Sequence, residues 1–348
     1  MSLSSSTPHP NSSGSAKVVL GHGSGGKLSQ DLLETVFFPY FKNSILDENH
    51  DGAILRFGNQ KLAFSTDSFV VNPLFFHGGN IGDLAINGTI NDLSMCGALP
   101  QYLAASFILE EGFPLHDLKK IVQSMHSAAQ AANVLLVTGD TKVVEKGKGD
   151  GVFINTTGIG TVGNSITISP KNAAPGDVVL INGNIGDHGI AIMSEREGLE
   201  FETTIESDTA PLNDLIQNIL EVSPNVHVLR DPTRGGLAST LNEIAAVAQY
   251  GILLEEKQLP IQPAVMAACE ILGLDPLHIA NEGKCLVFVP ENEGDVVLQK
   301  MRQHPLGKES AVIGKVIREH PGKVLLRTAI ESLRMLDMPE GEQLPRIC

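Results

Sequence analysis

The chain has 348 residues, a net charge of −15, 35 glycines, 19 prolines and no tryptophan. Hydrophobic residues make up 42% and charged ones 19%, which excludes global disorder, and no apolar run approaches the roughly 20 residues that span a bilayer. A chain this acidic, without a basic block, is a poor candidate for binding nucleic acid.

Residues 1–16 have neither the charged start nor the apolar core of a secretory signal. They read as a disordered leader, and the chain is expected in the cytoplasm. At about 150 residues per domain the length suggests two, the first over residues 17–169. Residues 17–20 feed a glycine-rich stretch, Gly21 to Lys27, with a helix expected over 29–41. The stretch nearly matches the phosphate loop G-x-x-x-x-G-K-[ST], but Leu28 stands where the magnesium-binding hydroxyl belongs. A P-loop NTPase is therefore rejected, which leaves a flexible phosphate cover or a plain arm. Further along, 61–65 reads as a strand ending on Thr66-Asp67, 82–95 as a helix, 102–109 as a strand and 115–132 as an amphipathic helix. Residues 134–137 read as a buried strand ending in Thr138-Gly139-Asp140-Thr141-Lys142, and 152–162 as another strand. A loop-like cluster from Ser169 to Asp177 marks the boundary to a second domain, 170–330. There, strands are expected at 178–182, 251–254 and 285–290, and helices at 211–220, 236–249 and 293–303. Residues 331–348 should form a mobile tail.

In the helix over 82–95, Asp83, Asn87 and Asn91 stack on one face, opposite Ile86, Ile90 and Leu93. Asparagine competes for the backbone and is a poor helix former. Two in register beside Asp92 suggest a face that holds a cation or phosphate; the plainer alternative is a solvated face. Asp67, Asp140 and Asp231 each follow a short apolar run. Oxygen ligands so placed suit magnesium, although each acid alone also reads as a turn former or helix cap. Glu282, in a turn before an apolar strand, is either a general base or a turn carboxylate. His22, His77 and His188 lack paired ligand spacing, so no zinc site is expected. Cys96, Cys269 and Cys285 show no CxxC spacing, and Cys96 and Cys285 read as buried filler. Cys348 ends the chain after Pro345-Arg346-Ile347. Arg346 is expected to favour its thiolate, and prenylation is excluded because it needs the cysteine four residues from the end.

Six segments carry a resemblance: Gly21 to Lys27, Ser65-Thr66-Asp67-Ser68, Val137 to Val144, Asp231-Pro232-Thr233-Arg234-Gly235-Gly236, Asn281-Glu282-Gly283-Lys284 and Pro345-Arg346-Ile347-Cys348. Together they resemble the HypE family of hydrogenase maturation proteins, of the PurM-like superfamily that includes aminoimidazole ribonucleotide synthetase and selenophosphate synthetase. The Pro-Arg-Ile-Cys ending selects HypE; the glycine-rich segment lacks the reactive cysteine or selenocysteine of selenophosphate synthetase. The resemblance implies an α/β (α+β) two-domain ATP-binding fold whose N-terminal sheet pairs across a homodimer, with ATP and Mg2+ between the halves. By position it implies Asp67, Asp92, Asp140 and Asp231 as magnesium and phosphate acids. Lys27, Asp83, Asn87, Asn91, Thr141, Thr233 and Gly235 would complete the ATP site, with Cys348, Glu282 and Lys142 catalytic. It further implies that a HypF-type carbamoyltransferase loads Cys348, that the chain dehydrates S–C(=O)–NH2 to S–C≡N, and that a HypC–HypD complex accepts the cyano group for a NiFe-hydrogenase iron. The alternatives are another PurM-like synthetase or kinase acting on a free small molecule, and a non-catalytic interaction protein.

Overall fold

The computed structural model describes residues 17–41, 43–198, 204–341, 344 and 346–348; the expected leader and Pro345 lie outside these residues. The N-terminal arm forms α1 (Lys27–Leu32), a π-helical turn (Leu33–Phe37) and α2 (Phe38–Phe41). The first lobe then runs β1 (Ala53–Phe57), β2 (Gln60–Phe69), β3 (Phe75–Phe76), β4 (Gly79–Asn80), α3 (Ile81–Met95), β5 (Ala98–Glu110), α4 (Leu115–Ala131), β6 (Leu135–Val144) and β7 (Val152–Val162). Its five-stranded sheet has the order β1-β2-β7-β5-β6. Only β5 and β6 pair in parallel, as the α4 crossover between them requires. Asn80 starts α3, accepting from Gly82 N at 2.8 Å while Asp83 accepts from Asn80 N at 2.7 Å, a reciprocal cap. α3 is buried nearly all round, so the expected solvated alternative for its asparagine face is overturned.

The second lobe contains β8 (Asp177–Ile181), α5 (Asp187–Glu197), α6 (Asn213–Val222), β9 (Val228–Arg230), α7 (Gly236–Ala248), β10 (Gly251–Glu255), α8 (Pro263–Leu272), β11 (Leu286–Pro290), α9 (Glu291–Gln303), β12 (Ala311–Ile317), β13 (Val324–Arg327) and β14 (Leu333–Met335). Seven strands lie in the order β14-β13-β10-β12-β8-β11-β9. Val179 and Ile181 of β8 join a core with Leu237, Leu241 and Ile244 of α7, whereas Leu180 between them joins Leu215, Ile216, Val297 and Met301 of α6 and α9. Both sheet faces are thus covered by helices, which is why these strands read as continuous apolar runs.

Three expectations need correction. The strand expected at 134–137 is not buried: β6 lies at the sheet edge, with Leu135 64%, Val137 58% and Val143 66% exposed. Its apolar run is that of a covered strand, but nothing among the described residues covers it. Asp140, Thr141 and Lys142 lie within β6 rather than beyond it, and Thr66 and Asp67 lie within β2. The segment from 331 includes β14, which pairs with β13. No helix among the described residues is long and apolar enough to cross a membrane.

Candidate active site

Between the lobes lies a cavity of about 260 Å³, lined by Asp67, Asp92, Asp231, Glu282, Arg234 and the terminal Cys348. β2 delivers Asp67, α3 delivers Asp92, and the turn between β9 and α7 delivers Asp231, Thr233 and Arg234. That turn needs Gly235 and Gly236, whose φ values of +74° and +60° lie in the left-handed region that other residues avoid. Thr233 lines the cavity, and the Gly235 backbone starts α7.

The acids are electrostatically crowded. Ser68 N donates to Asp67 at 2.7 Å, and Ser65 Oγ donates to Asp92 at 2.6 Å. Burial nevertheless raises both carboxyls, opposed at Asp67 by Arg234 and reinforced at Asp92 by Asp231, Asp67 and Asp51. Burial also pushes Asp231 up to about 6. Glu282 is 4% exposed, and its Oε1 has no hydrogen-bond partner among the described residues. Burial, then Asp231, Asp208 and Asp67, push it well above the usual range. Arg230, also at the cavity, is committed to Asp51 at 2.6 Å and Glu243 at 2.7 Å. Asp67, Asp92, Asp231 and Glu282 therefore face Arg234. Such a set of hard oxygen donors with unmet negative charge suits a divalent cation, although among the described residues no three donors already form a metal cage.

Glu282 is held from both lobes. Its N–H donates to Asp208 at 3.1 Å, and its carbonyl accepts from Asn91 Nδ2 at 3.0 Å. Asn91 Oδ1 accepts from Leu212 N at 2.8 Å, and Asn87 donates to Thr209 at 3.2 Å. The two asparagines thus tie α3 to the second lobe rather than lining the cavity. Asp208 is paired at 2.8 Å with the buried Lys284. Gly283 permits the close approach: a Cβ there would collide with the Asp208 carbonyl.

The tail is docked. Val70 N donates to Cys348 O at 3.0 Å and Asn72 N to Arg346 O at 3.1 Å, while His188 Nε2 meets Ile347 O at 2.8 Å. Ile347 is 4% exposed, and burying its side chain contributes roughly 1.5–3 kcal/mol. Arg346 donates to Val70 O at 2.8 Å and pairs with Asp150, so it does not serve the thiol as expected. Burial raises the Cys348 thiol, and the charge that opposes this is Arg234.

Several expected site residues lie elsewhere. Asp83 caps α3. Lys27 stands 3.6 Å from Glu340, both exposed. Asp140 and Lys142 pair at 2.5 Å on the open edge of β6, with Thr141 exposed between them. The sequence did not single out Arg234, Asp208 or Lys284, and it raised His188 only as a zinc ligand, not as a partner of the tail. Arg234 and Lys284 stood inside quoted motifs, whereas Asp208 and His188 carry no local signal.

Family models match both lobes: "AIR synthase related protein, N-terminal domain" over residues 49–162 and "AIR synthase related protein, C-terminal domain" over 174–327. The chain is 52% identical over 335 residues to the carbamoyl dehydratase HypE of Cupriavidus necator, covering 96% of this chain and 95% of that protein. A crystal structure of a HypE–HypF complex matches with a TM-score of 0.85 and 50% identity, covering 88% of this chain and 99% of that chain. A HypE crystal structure in complex with ATP matches with a TM-score of 0.81 and 47% identity, covering 94% and 98%. With that identity over nearly its whole length, on two AIR synthase-related lobes, the chain belongs to the HypE family.

Proposed function

We propose that this chain is an ATP-dependent carbamoyl dehydratase that converts a carbamoyl group on its own Cys348 to a thiocyanate, the cyanide source for a NiFe-hydrogenase iron. The observation that carries the reading is the end of the tail: Cys348 lines the same cavity as Asp67, Asp92, Asp231, Glu282 and Arg234. ATP would extend from there into the adjoining cavity of about 960 Å³, which shares Arg234 and Gly25 and has Leu33, Phe38 and Val247 in its wall. That is the size class of a cofactor pocket. A triphosphate adds negative charge to a cavity already rich in it. Mg2+ held by Asp67, Asp92 and Asp231 would reconcile the two, and when bound it neutralises charge on the transferred phosphoryl group.

The chemistry balances as follows. The carbamoyl oxygen attacks the γ-phosphorus, and the bond to ADP breaks. The C–O bond then breaks, phosphate leaves with the carbamoyl oxygen, and the N–H electron pairs form C≡N. Of the two protons leaving nitrogen, one ends on phosphate and the other passes through Glu282 to solvent. A carboxyl held above its ordinary pKa makes a strong base once ionised. Arg234, which interacts with the Cys348 thiol, would stabilise negative charge on the reacting group, and the docked tail would keep water from the intermediate.

Asp140, Thr141 and Lys142 enter this reading through a second copy. β6 is an unpaired edge with an exposed apolar face, the kind of edge that pairs with another strand. A homodimer joined there would carry Lys142 toward the partner's cleft. The two lobes would be residues 17–169 and the segment from 170 through β14, five residues beyond the boundary expected at 330. The tail that moves is the segment after β14 and the buried Leu336; it would swing out to a HypF-type carbamoyltransferase for loading and to a HypC–HypD complex for unloading, all in the cytoplasm. In the test, chain carbamoylated on Cys348 is mixed with ATP and Mg2+. One ADP per carbamoyl group is expected, and none from Cys348→Ala; equal ADP release by both would favour the free-substrate alternative.

A further inference from the structure

Every carbonyl of the last three residues has a donor. Arg346 O accepts from Asn72 N at 3.1 Å and Arg196 Nη2 at 3.0 Å, Ile347 O meets His188 Nε2 at 2.8 Å, and Cys348 O accepts from Val70 N at 3.0 Å. Residues 70 and 72 bond to 348 and 346 in turn, so the tail runs antiparallel to them, in the manner of an added strand. Two side chains supply sequence preference: Arg346 is gripped by Asp150 and Val70 O, and Ile347 joins the buried cluster that holds Ile192 and Ala280.

His188 is fixed for this task. Thr209 N donates to Ser207 Oγ at 3.2 Å, so the Ser207 hydroxyl is free to donate to His188 Nδ1 at 2.7 Å. That leaves the ring proton on Nε2, facing the Ile347 carbonyl. The ring is fully buried and stands edge-on to Phe76, with centroids 5.7 Å apart.

We propose that residues 70–72, Asp150, His188 and Arg196 form a peptide-binding seat that recognises a chain end of sequence Arg-Ile-Cys without covalent attachment, with His188 as its positioning residue. The seat therefore accepts such an end in trans when its own tail is displaced. This rests on the function above only in that the occupant carries the reacting thiol. A binding measurement without ATP or carbamoyl groups can fail or succeed independently of turnover.

The test uses the full chain carrying Ile347→Asp, which removes the apolar anchor of its own tail, and a fluorescent peptide of residues 340–348 followed by anisotropy. Saturable binding is expected, about tenfold or more weaker to the unaltered chain, whose seat is filled. A peptide with aspartate in place of its isoleucine should not bind. Adding His188→Ala should weaken binding about tenfold, and His188→Gln, which keeps a donor, should recover part of it. Arg346→Glu, set against Asp150, displaces the tail by a second route and should open the seat equally. Absence of saturable binding to both opened chains, each folded by circular dichroism, would overturn the proposal. So would equal binding to opened and unaltered chains, or indifference to His188→Ala.

Discussion

Asp67 and Asp140 look alike in the sequence, each a strand aspartate flanked by threonine, yet they sit in opposite electrostatic states. Asp67 faces a cavity shared with Asp231 and Glu282, and burial raises its carboxyl. Asp140 stands in solvent on β6, where the hydrogen bond from Lys142 and then that from Thr141 N lower its carboxyl. A carboxylate already satisfied by a lysine has no need of a cation; a crowded, half-buried one does. The cleft thus carries unmet charge inside the fold, whereas the edge strand presents a neutralised ion pair to solvent.

The largest effect that tests this contrast is expected in the cleft. Glu282→Gln should lower the single-turnover rate by about 10²–10⁴ while ATP still binds, and a near-normal rate would remove Glu282 as the base. At the edge, the sharper experiment mixes two inactive chains, Lys142→Ala and Cys348→Ala. If Lys142 acts across a dimer, random pairing should restore about a quarter of wild-type activity; no recovery would confine Lys142 to its own chain. The smallest effect is on stability. Asn91→Leu strips partners from Leu212 N and the Glu282 carbonyl, at about 1–3 kcal/mol for each buried group left unpaired. Asp140→Ala should leave the thermal midpoint unchanged, and equal losses for the two variants would erase the distinction between interior and edge.

Local pattern made much of the architecture legible. α3, α4 and α7, and strands such as β5, β7 and β11, fall where periodicity and apolar runs place them. What it could not convey was whether a strand is covered: the β6 run has the composition of a buried strand, yet it lies open at the sheet edge among the described residues. In the site, Asp67, Asp92, Asp231, Glu282 and Cys348 converge on one cavity. Asn87 and Asn91 were noticed for a sound reason, since asparagine is costly in a helix, but the helix tolerates them because they bridge the lobes. Arg346 was expected to act on the thiol from two residues away. The chain direction instead turns it to Asp150, and the thiol faces Arg234, 114 positions earlier in the chain. His188 reads in the sequence only as a histidine without ligand spacing; its role was hidden because its partners, Ser207 and Ile347, are distant in sequence.

The most direct measurement is the intact mass of the carbamoylated chain before and after a single turnover with ATP and Mg2+, with the modified residue located by fragmentation. Dehydration at Cys348 predicts the loss of one water, mapped to that residue, in the wild type and not in Glu282→Gln. ATP consumed with the carbamoyl group on Cys348 unchanged would contradict it.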